Sequence, residues 1–173
     1  MRKILVTGPI ASGKSAVCRH LAESGFEVYD SDSRAKALYD EIPGLKDRVE
    51  RVLGVPFSRI SVIFTDDVKR QALEDLLYPL VLEDIRRWMG ECSGETVFIE
   101  SAVAPRSRVF DGFFDAVWMV DAPYELRLAR NPKVAARNAV QNFEGFEPDE
   151  RIINDGTPAE LIMKTDILIK KTI

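Results

Sequence analysis

The sequence contains one histidine, His20, in 173 residues. That scarcity excludes metal centres built from several imidazoles. Two cysteines, Cys18 and Cys92, are too few for a disulfide framework and lack metal-ligand spacing, so a reducing cytoplasm is the expected setting. No apolar run approaches the roughly 18 residues that a membrane-spanning helix needs, and Met1-Arg2-Lys3 leads into a short strand rather than a signal peptide. Positive charge is also short. Lysine and arginine number 24 against 28 acidic residues, giving a net charge of −4. Such a chain has no basic footprint for nucleic acid, so neither nucleic acid nor membrane is expected as a partner. Any phosphate site must be local, made of backbone amides and a few aimed cations. Internal repeats, low-complexity tracts and linkers are absent. At 46% hydrophobic residues the chain reads as one ordinary globular domain with a full core, and its oligomeric state stays open.

What is present alternates between two periodicities. Lys3 to Thr7 is a short apolar run that ends at a glycine, as a buried strand does. Gly13 to Ser24 follows as a helix, with Val17 and Leu21 on one face and Gly25 as its stop. Phe26 to Tyr29 is a second strand, and Asp30 and Asp32 lie just past it. Strand, glycine loop, helix and strand make a βαβ opening and predict a parallel sheet. Residues 33 to 88 read as helical: one helix over Ser33 to Tyr39, and a long stretch from Asp66 to Trp88 interrupted at Pro79. Strands are expected at Thr96 to Ile99, Ala116 to Val120 and Glu150 to Asn154. A helix from Pro123 breaks at Asn131-Pro132 and restarts toward Gln141. Thr157-Pro158-Ala159-Glu160 is a capping box that opens a C-terminal helix.

The segment from Gly8 through Pro9, Ile10, Ala11, Ser12, Gly13, Lys14 and Ser15 is a complete P-loop pattern, placed between the first strand and the first helix. Backbone N–H groups of residues 10 to 15, with Ala16 opening the helix, would converge on phosphates. The positive end of that helix would add to them. Lys14 would reach the β- and γ-phosphates, and the Ser15 hydroxyl would ligate Mg²⁺. Two positions are unusual. Pro9 has no N–H to offer, and Ala11 enters positive φ less easily than glycine.

Phosphoryl transfer needs positioning and charge more than covalent chemistry. A guanine-nucleotide switch would carry an Asn-Lys-x-Asp reader, and the chain has no Asn-Lys pair. A kinase needs an acceptor-side base and closing cations. Asp30 and Asp32 lie beyond the carboxyl end of the second strand, where ligands sit in open α/β sheets, although Asp32 could instead cap the next helix. Arg127, Arg130 and Arg137 are the cations. Arg130 and Arg137 fall within about 20° of one another on a helical wheel, Gln141 lies about 40° beyond, and the Asn131-Pro132 break offers a hinge. Glu100 and Asp121 end apolar strands and could hold Mg²⁺-bound water, or cap helices. His20, Trp88 and Trp118 read as structural.

In this order the motifs resemble the dephospho-coenzyme A kinase family over Ile4 to about Ile162. The resemblance is carried by the P-loop, by Val28-Tyr29-Asp30-Ser31-Asp32, and by Ile63-Phe64-Thr65-Asp66 with Leu73-Glu74-Asp75-Leu76-Leu77-Tyr78-Pro79-Leu80. Arg127, Arg130 and Arg137-x-x-x-Gln141 continue it, and Ile152-Ile153-Asn154-Asp155-Gly156 completes it. Lys36 stands where the family usually has arginine, Tyr78 where it has histidine, and Glu100-Ser101-Ala102-Val103 replaces a Pro-Leu-Leu segment. The resemblance implies a three-layer α/β/α P-loop kinase with a five-stranded parallel sheet. A helical acceptor-binding insertion would span about 35–92 and a lid about 127–141. It also implies ATP as donor, Mg²⁺ as cofactor and dephospho-CoA as acceptor. Asp32 would be the base, Arg130 and Arg137 would act on the transferring phosphoryl, and Asn154 would lie near the nucleotide. Asp30, Asp32, Lys36 and Tyr78 would meet the acceptor.

Overall fold

The computed structural model describes residues 1–60, 66–137, 143 and 145–173, with backbone alone at Arg106 and Arg137. The expected residues Ile63, Phe64, Thr65 and Gln141 lie outside the described set. The chain forms two compact units, 1–30 with 92–173, and 31–91.

The first unit is built on five parallel strands: β1 (Arg2–Thr7), β2 (Glu27–Asp30), β3 (Thr96–Glu100), β4 (Ala116–Asp121) and β5 (Glu150–Ile153). Their order is β2-β3-β1-β4-β5, so the strand that comes first among them in the sequence lies in the centre. Ile4 pairs with Phe98 on one side and Ala116 on the other. The alternation of side chains sorts the core. Ile4, Val6, Phe98, Trp118, Val120 and Ile152 point to one face, where Val17, Cys18 and Leu21 of α1 (Lys14–Glu23) pack with Leu161 and Leu168 of the C-terminal helix. Leu5, Val97, Ile99 and Met119 point to the other face and are also buried. Burial on both faces is the usual state of a parallel sheet.

Local signals set the helix ends. After α1, Phe26 N donates to Leu21 O at 3.0 Å and Gly25 N to Ala22 O at 3.0 Å, a Schellman closure that puts Gly25 at φ +91°. Near the C-terminus, Thr157 accepts from Glu160 N at 3.3 Å and Glu160 Oε2 from Thr157 N at 2.6 Å, which is the reciprocal box its sequence predicts. The C-terminal segment that follows is helical throughout (Pro158–Thr172). His20 Nε2 lies 2.6 Å from Asp166 Oδ1, joining the first and last helices of this unit. Tyr124–Arg130 and Val134–Arg137 are the two short helices of the arginine segment, and Asn131 is extended between them, as expected before a proline.

The second unit is helical, with α2 (Ser31–Glu41), α3 (Leu45–Leu53) and α4 (Asp67–Met89). One expectation changes here. Pro79 does not interrupt α4, which is continuous from its Asp66 cap. Pro79 removes the donor for the Asp75 carbonyl, but both residues lie on the exposed face where water can serve, while Leu73, Leu77, Val81 and Ile85 bury the opposite stripe. The helix α3 falls within the stretch read as helical, where it had been given no bounds of its own. Its Leu45, Val49 and Leu53 recur every four residues and are buried, and Gly54 closes it at φ +64°.

Candidate active site

Gly8 leaves β1 at φ +140°, and a Cβ there would lie 1.9 Å from the Val120 carbonyl oxygen, so no other residue fits. The loop then turns back on itself. Ser12 N donates to Pro9 O at 3.2 Å, which removes one amide from the expected set of phosphate donors. Ala11 stands at φ +62°, the one non-glycine residue with positive φ among those described. Gly13 precedes α1 at φ +107°, and the first turn of α1 carries no acidic side chain to offset its positive end. Lys14 reaches back to Pro9 O at 3.2 Å. Its ammonium is thereby held within the loop it is expected to serve.

Ser15 Oγ donates to Glu100 Oε1 at 2.8 Å. Glu100 ends β3 and pairs in register with Asp30 at the end of β2. Of the two strand-end acids singled out from sequence, Glu100 faces the loop. Asp121 instead accepts from Ala122 N at 2.8 Å and from Arg151 Nη1 at 3.2 Å, which commits it to its own turn and an ion pair. Burial pushes the Glu100 carboxyl above the usual carboxylate range, against the opposing pull of Ser15 and Lys14. Burial likewise drives up the neighbouring Cys18 thiol, which hydrogen-bonds Glu100 and stays protonated.

A hydroxyl beside a carboxylate is a fitting donor set for Mg²⁺, which takes few protein oxygens and completes its shell with water and phosphate. Among the described residues no cluster of three or more His, Cys, Asp or Glu exists to compete for the ion. A raised carboxyl pKa also has a stability consequence. The folded state favours the protonated form, so Glu100 costs stability as pH rises from the ordinary carboxylate range through its own higher pKa. Glu100→Gln is expected to melt above the unmodified protein at pH 8, with the gain vanishing toward pH 4. Equal melting temperatures across that range would show that the carboxylate is not strained.

The arginines divide. Arg127 is 7% exposed, donates from Nε to Ala122 O at 3.0 Å and lies over the Tyr124 ring. It is packed against its own helix rather than extended toward the loop as Arg130 is. Arg130 is exposed and reaches Ala11 O at 3.3 Å, Asn154 O at 3.4 Å and Asn154 Oδ1 at 3.5 Å. Arg137 closes the second short helix. Asn154, just past β5, is 7% exposed and donates from Nδ2 to Ser12 O at 2.8 Å, so its amide faces the loop.

In the helical unit, Asp32 and Lys36 are exposed and four apart on α2, and Tyr78 is half-buried on α4. A network that sequence reasoning missed ties these helices together. Asp84 is 5% exposed and accepts from Arg34 Nε at 2.9 Å and from Arg87, while Arg34 forks onto both Glu41 oxygens at 2.9 and 2.8 Å. The fork holds the Glu41 carboxyl below its ordinary range. The available signal was an acid on the buried stripe of α4, one residue before Ile85.

A five-stranded parallel sheet with helices on both faces and a P-loop after its first strand defines a three-layer α/β/α P-loop kinase. A solved dephospho-CoA kinase from Campylobacter jejuni superposes with a TM-score of 0.61 at 19% identity, over 98% of this chain and 96% of that one. No family model matches the chain. Among sequence relatives, the dephospho-CoA kinase of Porphyromonas gingivalis is 34% identical over 139 residues, covering 75% of this chain and 68% of the relative. That of Chlorobaculum tepidum is 30% identical over 182 residues, covering 90% and 88%. The chain belongs to the dephospho-CoA kinase family.

Proposed function

We propose that this chain transfers the γ-phosphoryl group of ATP to the ribose 3′-hydroxyl of dephospho-CoA, giving CoA in the last step of coenzyme A biosynthesis. The observation that carries the reading is the phosphate loop with Ser15 set against Glu100, in a chain that belongs to this family. Residues 35–92 serve as the acceptor-binding insertion and 127–141 as the lid. Lys14 leaves the Pro9 carbonyl for the β- and γ-phosphates. Asp32 takes the proton of the acceptor hydroxyl. The freed oxygen forms a bond to the γ-phosphorus, the bond from that phosphorus to the β,γ-bridging oxygen breaks, and its electron pair departs on ADP. Arg130 and Arg137 balance charge on the phosphoryl group in transit. Asp30, Lys36 and Tyr78 position the acceptor. Mg²⁺, held by Ser15 and Glu100, would neutralise charge on the phosphates. The reaction takes place in the cytoplasm. No helix among the described residues is long and apolar enough to cross a membrane.

An ADP-release assay with dephospho-CoA, other nucleosides and water as acceptors tests this. Turnover is expected with dephospho-CoA at least about 100-fold above the water rate, since the acceptor must be positioned to react. Preference for a different hydroxyl acceptor would keep the kinase and replace the substrate. ADP at background with every acceptor would reduce the chain to a nucleotide-binding module.

A further inference from the structure

Ala11 is held in a backbone region that an L residue seldom adopts, and such strain persists only where the surroundings enforce it. The enforcing contacts are hydrogen bonds on either side of it. The Ala11–Ser12 peptide is gripped at both ends, its carbonyl by Arg130 at 3.3 Å and its N–H by the Pro9 carbonyl at 3.2 Å. The carbonyl of the next peptide, Ser12 O, takes the buried Asn154 amide at 2.8 Å. Asn154 is itself fixed, because its backbone N donates to Asp121 O at 2.7 Å. It also fills the space beside Gly13, where a Cβ would lie 2.4 Å from Nδ2.

We infer that Asn154 is a positioning residue for the phosphate loop: it clamps the strained Ala11–Ser12 segment so that the remaining loop amides face the phosphates, rather than reading the adenine base. The inference rests on the proposed phosphate role of the loop. Its chemistry is specific to a chain with alanine at position 11. A glycine there would hold the same φ without enforcement, so the clamp should matter most while Ala11 is present. A residue that merely fills the core would weaken binding equally with either residue at position 11.

The test is a double-mutant cycle read by calorimetry, with ATP and with inorganic tripolyphosphate, which has no base. Asn154→Ala is expected to weaken both ligands by at least about tenfold, since it strands the Ser12 carbonyl and releases the loop. In the A11G background the same change should cost less than about threefold. Asn154→Ser, which keeps a donor on a shorter side chain, is carried in parallel so that the cycle is measurable if N154A does not fold. Equal losses in both backgrounds would overturn the clamp. Loss for ATP with tripolyphosphate binding intact would overturn it in favour of contact with the base. The cycle needs no acceptor, so a chain that binds ATP but yields no CoA would remove the proposed reaction and leave the clamp standing.

Discussion

Replacing Asp32 with asparagine is expected to lower turnover by about 10²–10⁴-fold while ATP binding is retained. Asparagine keeps the size and the hydrogen-bonding reach of aspartate but cannot take a proton. Asp32 is exposed, so the change creates no cavity. The rival account treats the carboxylate as a helix-end charge. The structure replaces the expected helix cap with a charge inside the helix, because α2 begins at Ser31 and Asp32 lies within its first turn. A carboxylate there interacts favourably with the helix dipole by about 0.3–1 kcal/mol. That role would lower the melting temperature slightly and leave kcat alone. Measuring kcat, KM for both substrates and Tm on one preparation separates the two. Turnover near that of the unmodified enzyme would remove Asp32 as the base.

Asp84→Ala is the largest expected loss of stability. The side chain is buried on α4 and carries the charge that Arg34 and Arg87 answer. Removing one partner of a buried pair costs about 3–5 kcal/mol. The lower end applies here, because the two arginine side chains are 33% and 65% exposed and can turn to water, and Arg34 keeps Glu41. A loss of about 3 kcal/mol corresponds to roughly 6–12 °C in Tm at this chain length. Differential scanning calorimetry reads it directly. The paired change Arg34→Met with Asp84→Leu should recover most of it, because apolar packing can replace a buried ion pair. A loss below about 1 kcal/mol for D84A would mean that the network is ornamental to the helical unit.

Four of the five strands were legible because each is a short apolar run ended by an acid or a glycine, and the phosphate loop because its spacing is fixed in a short stretch of chain. The capping box at Thr157 could be read in full, being local. Pro79 was misread for a physical reason: the carbonyl that a proline orphans is better tolerated where water can reach it, and exposure is not written in the sequence around it. The partnership of Arg34 with Asp84 spans fifty residues and left no local trace. Arg127 and Arg130 look alike as residues three apart in one helix, yet one is buried against Tyr124 and the other reaches the loop. The role of Asn154 lay hidden for a different reason. Resemblance brought it to the nucleotide, but only the backbone angle of Ala11 shows why an amide is needed beneath the loop.

The place of β1 at the centre of the sheet has a consequence for the birth of the protein. This strand precedes in the chain the third and fourth strands with which it pairs, so its apolar side chains lack those partners while the whole helical unit is made. The phosphate loop hangs from its end and cannot take shape before β4 arrives, because the Val120 carbonyl forms the wall against which Gly8 is fitted. Non-local pairing of this kind is slow and leaves sticky intermediates. The nascent chain therefore carries an apolar strand without its sheet neighbours until β3 and β4 are made, and nucleotide capture must wait for β4.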